Sequence, residues 1–185
     1  MLKPGSPPTV QQVARNFRFV GWISFWVQLV VAVVASFILM FAGVSNNIRP
    51  NTAPDPGRGS GLFLTVCGLL LLYGGIYWAF RYTRLARRLV NVAPEDRPKK
   101  ADTIQSLRIG LLLNLGGMGL TLLGAGATVG ALFFKASTQQ GGFVNDPSRL
   151  IQALDIFVVQ ANTNILLGLF IGLFAGLFLL NRIIR

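Results

Sequence analysis

The 185-residue sequence has no histidine, a single cysteine and only six acidic residues. Without imidazole it lacks the commonest transition-metal ligand and the usual neutral-pH proton carrier, so histidine-based catalysis is excluded. Cys67, being alone, cannot close an intrachain disulfide. Charge of either sign is scarce, at 12% of residues against 52% hydrophobic ones, a balance foreign to a soluble domain. Phosphate-loop, nucleophile-turn, paired-cysteine and zincin motifs are all missing. An enzyme, a catalytic residue, a resident cofactor and a metal site are therefore not expected.

What charge there is leans one way, with 17 Lys and Arg and a net charge of +11. In a soluble chain that would point to nucleic acid. Here most cations fall between apolar runs and no aromatic stacking platform or recognition fold accompanies them, so no nucleic-acid partner is expected.

Four runs, 19–44, 61–80, 109–134 and 161–180, are free of Asp, Glu, Lys and Arg. A hydrocarbon core of about 30 Å takes roughly 20 helical residues, and a bilayer offers backbone groups no water, so such runs must be helices. The fold class is all-α: an integral membrane bundle of four transmembrane helices forming one domain over 1–185. The last run is short, so its helix should extend backward through Ala161 toward Ser148, with Asp146 and Pro147 as a start signal.

Cations in the connecting segments set orientation. Segments 1–18, 81–108 and 181–185 hold 13 of them, while 45–60 and 135–160 hold 4. Both termini and the basic loop 81–108 should then face the cytoplasm or its plastid equivalent. Trp22, Trp26 and Trp78 lie toward the same side, as rings that favour the water-lipid boundary would. The first 18 residues are too polar for a signal peptide, and the first run is longer than a cleavable apolar core. No organelle presequence precedes it, which fits a bacterial or already mature chain.

Thr9-Val10-Gln11-Gln12-Val13-Ala14-Arg15 and Thr103-Ile104-Gln105-Ser106-Leu107-Arg108 precede the first and third runs and align if one residue is skipped. Either the match is chance or the chain contains two parallel helical-hairpin repeats. Thr9 with Gln12, and Asp102 with Gln105, have the spacing of helix caps.

In the third run Gly110, Asn114, Gly117, Thr121, Gly124 and Thr128 form a stripe of small or weakly polar residues, with Gly119, Gly126 and Gly130 on the opposite face. Small residues let helices approach closely in lipid, so this helix is expected to be central, with neighbours on both sides. Gly21, Ser24, Gln28, Ala32 and Ala35 form a similar stripe in the first run, and Gly168, Gly172 and Gly176 one in the fourth. Such stripes are read as packing seams in preference to a pore, the seam of the fourth run lying within the bundle or between copies.

Asp155, Gln160, Asn162 and Asn164 adjoin the fourth run as a candidate polar entrance, against the plainer role of caps and interhelical hydrogen bonds. Arg81, Arg84 and Arg88 share a helical face with Arg87 beside them, and Arg97, Lys99 and Lys100 follow. Such a cluster draws anionic lipid headgroups or an acidic protein. Expected partners are thus lipids, other membrane proteins or further copies of the chain.

Two segments are more distinctive than hydrophobicity alone. Arg18-Phe19-Val20-Gly21-Trp22-Ile23-Ser24-Phe25-Trp26-Val27-Gln28-Leu29 and Asp155-Ile156-Phe157-Val158-Val159-Gln160-Ala161-Asn162-Thr163-Asn164 resemble the cyanobacterial and plastid family that includes the twenty-one-kilodalton component of chloroplast inner-envelope protein import, also described as a permease. The resemblance implies a transport-type membrane protein, engaged in protein import or iron permeation. It places plastid relatives in the inner envelope and a cyanobacterial member in the plasma or thylakoid membrane. A structural or assembly role in larger membrane complexes fits the glycine-rich faces as well. An iron path would favour carboxylate, imidazole or thiolate ligands, whereas this chain offers Cys67, amides and backbone carbonyls.

Overall fold

The computed structural model describes residues 8–48, 56–91, 100–139 and 153–184, with side chains described over 15–44, 59–84, 101–137 and 155–183. The described residues form four helices: α1 (Pro8–Ile48), α2 (Pro56–Asn91), α3 (Lys100–Gln139) and α4 (Ala153–Ile184). Each contains a stretch long and apolar enough to cross a membrane, at Arg15–Val44, Gly59–Arg84, Ala101–Ser137 and Asp155–Ile183.

Pro8 and Pro56 open α1 and α2, where a missing N–H costs nothing and the ring presets the backbone. With α1 opening at Pro8 and α3 at Lys100, Thr9 and Asp102 fall inside the first turns of these helices rather than before them. Asp102 still favours its helix by placing negative charge at the positive end of the dipole. The fourth helix does reach back beyond Ala161, to Ala153. Asp146, Pro147 and Ser148 lie outside the described residues.

Consecutive helices run antiparallel and pack side by side, and α4 closes the ring against α1. The helix ends Pro8, Asn91, Lys100 and Ile184 therefore share one end of the bundle, called here the arginine end. Across the square, α2 and α4 touch, whereas α1 and α3 stand apart. The expectation of a central third helix is corrected by this arrangement: α2 and α4 hold the short diagonal, and α3 meets both from one side. Close approach across that diagonal is possible because Gly168 of α4 receives Leu72 of α2, whose Cδ1 lies 2.9 Å from where a β-carbon would stand.

The seam between α2 and α3 repeats every seven residues. Gly61, Gly68 and Gly75 of α2 face Thr128, Thr121 and Asn114 of α3, and Gly124 meets the Gly61 carbonyl in return. Each of these polar side chains bonds to the carbonyl four residues earlier, as in Thr121 Oγ1 to Gly117 O at 2.8 Å and Thr128 Oγ1 to Gly124 O at 2.9 Å. A hydroxyl satisfied within its own helix can face another helix without a dehydration penalty.

Inside, Ala32, Ala35, Leu39, Leu69, Leu72, Ile76, Ala161, Ile165 and Leu169 form one apolar cluster. Phe17, Tyr82, Leu107 and Leu179 form another toward the arginine end. Outside, Phe37, Phe63, Leu70, Leu112, Phe133, Phe170 and Phe174 are all more than half exposed. A belt of that size would aggregate in water, and it is the surface a bilayer solvates.

Candidate functional site

Between the two apolar clusters lies a polar layer. Gln28 of α1 and Asn114 of α3, which are 1% and 4% exposed, reach inward from opposite corners of the square. Gly75 of α2 and Gly172 of α4 make room for them. A β-carbon on Gly75 would stand 2.8 Å from Asn114 Oδ1 and 3.2 Å from Gln28 Oε1. One on Gly172 would stand 2.5 Å from Asn114 Oδ1 and 2.7 Å from Gln28 Nε2. A methyl group at either position would have to displace the amides, which already fill the space it would take.

The amide nitrogens of both side chains are tethered to their own helices. Asn114 Nδ2 donates to Gly110 O at 2.8 Å, and Gln28 Nε2 donates to Ser24 Oγ at 2.7 Å. Since a carbonyl can only accept, the Gly110 bond forces Asn114 Oδ1 toward the bundle axis. Gln28 Oε1 and Asn114 Oδ1 are both buried without a hydrogen-bond partner. Leaving a buried acceptor unpaired costs about 1–3 kcal/mol, so each such atom calls for a physical explanation, such as a bound water or ion or stored strain.

The layer sits inside the hydrocarbon region, nearer the arginine end. Ten residues separate Arg18 from Gln28 and seventeen separate Asp155 from Gly172. At 1.5 Å per residue these are about 15 and 25 Å, together about the 40 Å of a bilayer with its headgroups. Arg18 and Asp155 then mark its two faces. Trp22 lies close to the arginine end, whereas Trp26 and Trp78, two residues from Gln28 and three from Gly75, lie deeper, near the layer.

The proposed entrance residues do not gather in one place. Asp155 is buried, 4% exposed, and its Oδ2 pairs with Lys135 Nζ of α3 at 3.7 Å. Asn162 is also buried, and its Oδ1 accepts from Thr65 Oγ1 of α2 at 2.7 Å. Gln160 is exposed and Asn164 half-buried, and they bond only weakly to each other at 3.4 Å on the outer side. Rows at i, i+4 rotate about 40° per step at 3.6 residues per turn, so the row that buries Gly172 has turned outward by Gln160.

Gly110, Gly117 and Gly124 face α2, with Gly117 also against Leu169 of α4. Gly168, Gly172 and Gly176 pack within the bundle, meeting Leu72 and Val31, the amide pair, and Leu111 respectively. Gly126 and Gly130, like Gly119, have no atom of this chain within 4 Å of a β-carbon position, so they take no part in the seams inside the bundle. In a square bundle α3 has only one inward side, and these glycines point away from it. Arg81 and Arg84 are exposed but turn to different seams, Arg81 over the Trp78 ring at 5.0 Å and Arg84 over Phe80 at 5.1 Å. The side chains of Arg87 and Arg88 lie outside the described residues.

A four-span bundle with a buried amide layer is a polytopic membrane protein of the kind that lodges polar groups away from water by pairing helices around them. The chain belongs to the family described as protein of unknown function DUF3611, which matches residues 7–184. It is 37% identical over 180 residues to Protein TIC 21, chloroplastic, of Arabidopsis thaliana, covering 94% of this chain and 58% of that protein. The chain thus spans less than two thirds of that relative's length. The resemblance drawn from segments 18–29 and 155–164 holds over nearly the whole chain. No solved structure matches.

Proposed function

We propose that this chain is a non-enzymatic, transport-type membrane protein, a component of translocation across a cyanobacterial membrane or the chloroplast inner envelope, and that the Gln28 and Asn114 layer is its working centre. The carrying observation is the pair of unpartnered amide acceptors in the hydrocarbon region, since polar groups there are costly and persist where they serve passage or switching. The resemblance to TIC 21 supports the transport reading independently of that layer. Iron is a poor cargo for this site, because neutral amide oxygens hold divalent ions weakly and select poorly among them.

An assembly role is the second reading. The open face of α3 at Gly116, Gly119, Gly126 and Gly130 favours it, since a partner helix could approach closely there.

The test is complementation of a strain lacking the native gene. Gln28→Leu with Asn114→Leu should leave a folded protein, because replacing both amides removes two unpaired acceptors, yet should fail to complement. Full complementation by the folded double variant would overturn the role given to the layer. In liposomes the purified chain should show no selective, saturable ferrous uptake. Uptake of ferrous ion over magnesium, lost in Asp155→Asn at equal folded protein, would restore iron as cargo. Recovery of only photosynthetic or respiratory subunits after mild detergent extraction would favour assembly.

A further inference from the structure

At the arginine end, the outer seam of α1 and α2 carries an aromatic ledge. Trp22 and Phe25 stack with ring centroids 5.9 Å apart, Trp26 meets Phe25 edge-on at 5.7 Å, and Phe25 reaches Phe80 of α2 at 5.8 Å. Trp22 and Trp26 are each 49% exposed and Phe80 is 36% exposed, so the ledge faces lipid rather than the bundle interior.

Arginines bound it on both helices. Arg84 stands over Phe80, and Arg18 precedes Trp22 by four residues, which places both on one face of α1. The two helices are level here, because Gly21 of α1 abuts Ala79, Tyr82 and Thr83 of α2. Arg18 and Arg84 therefore stand at similar height on the two helices, both exposed, with Arg15 one turn further out. Among the described residues no carboxylate pairs with them, and the described parts of α1 and α2 contain no Asp or Glu at all.

We infer that this seam is a binding site for an anionic phospholipid. Its phosphate is held between Arg18 and Arg84, and its acyl chains lie along Trp22, Phe25, Trp26 and Phe80. Two guanidiniums, unpaired among the described residues, supply forked donors that match a phosphate, and the cation–π contact holds one of them over the ledge. A zwitterionic lipid would gain the same ring contacts but would bring its own cation to the arginines. Trp26, one turn deeper than Trp22, is placed to line an acyl chain.

Brominated lipids quench nearby tryptophans and so report on this seam. The purified full chain is placed in phosphatidylcholine bilayers with increasing dibrominated phosphatidylglycerol, and separately with dibrominated phosphatidylcholine. Phosphatidylglycerol should quench at the lower mole fraction, and the same preference should persist in Trp78→Phe, where Trp22 and Trp26 alone report. Arg18→Gln and Arg84→Gln should each reduce the preference roughly five-fold. Arg108→Gln, which removes an exposed cation on α3 away from the ledge, should leave it unchanged. Equal quenching by the two lipids, or an equal fall with Arg108→Gln, would overturn the site in favour of bulk surface charge.

Discussion

Glycine is the residue on which the buried layer depends. Gly172 and Gly75 hold no space in reserve: their missing β-carbons are where the two amides lie. Gly172→Ala should destabilise the protein by about 1–3 kcal/mol, the usual cost of overpacking, measured as a thermal shift in detergent. Asn114→Ala should relieve much of that loss, because it removes the oxygen and amide carbon that the methyl would strike at 2.5 and 2.9 Å. Gly116→Ala, with nothing within 4 Å, should be neutral or gain up to about 1 kcal/mol of helix propensity. A melting point for Gly172→Ala that matches Gly116→Ala would contradict this account. The need for amides and glycines was legible in the sequence as polar and small positions in apolar runs. Their pairing was not, because Gln28 and Asn114 belong to helices that do not touch.

At the scale of the helix, the heptad of Gly61, Gly68 and Gly75 determines how near α2 comes to α3. Gly68→Val should drive a side chain into Thr121 and open this seam, while Gly74→Val on the same helix meets no neighbour within 4 Å. Both carry the same β-branched propensity cost, so the difference isolates packing. The expected gap is about 1–3 kcal/mol, read from paired melting curves, and no gap would mean the seam is loose. The sequence showed the α3 half of this seam as a stripe, since spacings of three and four mark one helix face. It did not show which stripe faces inward. Gly119, Gly126 and Gly130 have similar periodicity and point outward, and nothing local distinguishes the two faces.

For the whole molecule, antiparallel packing of four helices puts Pro8, Asn91, Lys100 and Ile184 at one end whatever the membrane. Which side that end faces is a matter of charge, and the bias of 13 cations to 4 predicts the cytoplasmic side. Single cysteines from Ser6→Cys, Ser60→Cys and Ser137→Cys in a Cys67→Ser background should label from outside at positions 60 and 137 and be protected at position 6. The reverse pattern would invert the topology. The possible hairpin duplication also belongs to this scale. The motif alignment pairs Arg15 with Arg108 and so Gln28 with Thr121, whereas the bundle sets Gln28 level with Asn114, about two helical turns away. The parallel course of α1 and α3 fits a duplication, and the amide layer does not follow its register.

Composition and the length of the apolar runs alone determined a helical, four-span membrane chain, because a bilayer leaves the backbone no other way to satisfy its hydrogen bonds. Family membership was legible in segments 18–29 and 155–164 for a similar reason: their order is local. The tertiary structure alone decided that α2 and α4 share the short diagonal, that Asp155 turns to Lys135 while Gln160 turns outward, and that Arg18 stands level with Arg84. Each of these depends on helix rotation and relative height. Those are set by interlocking side chains from separate helices, and no one-dimensional spacing encodes them.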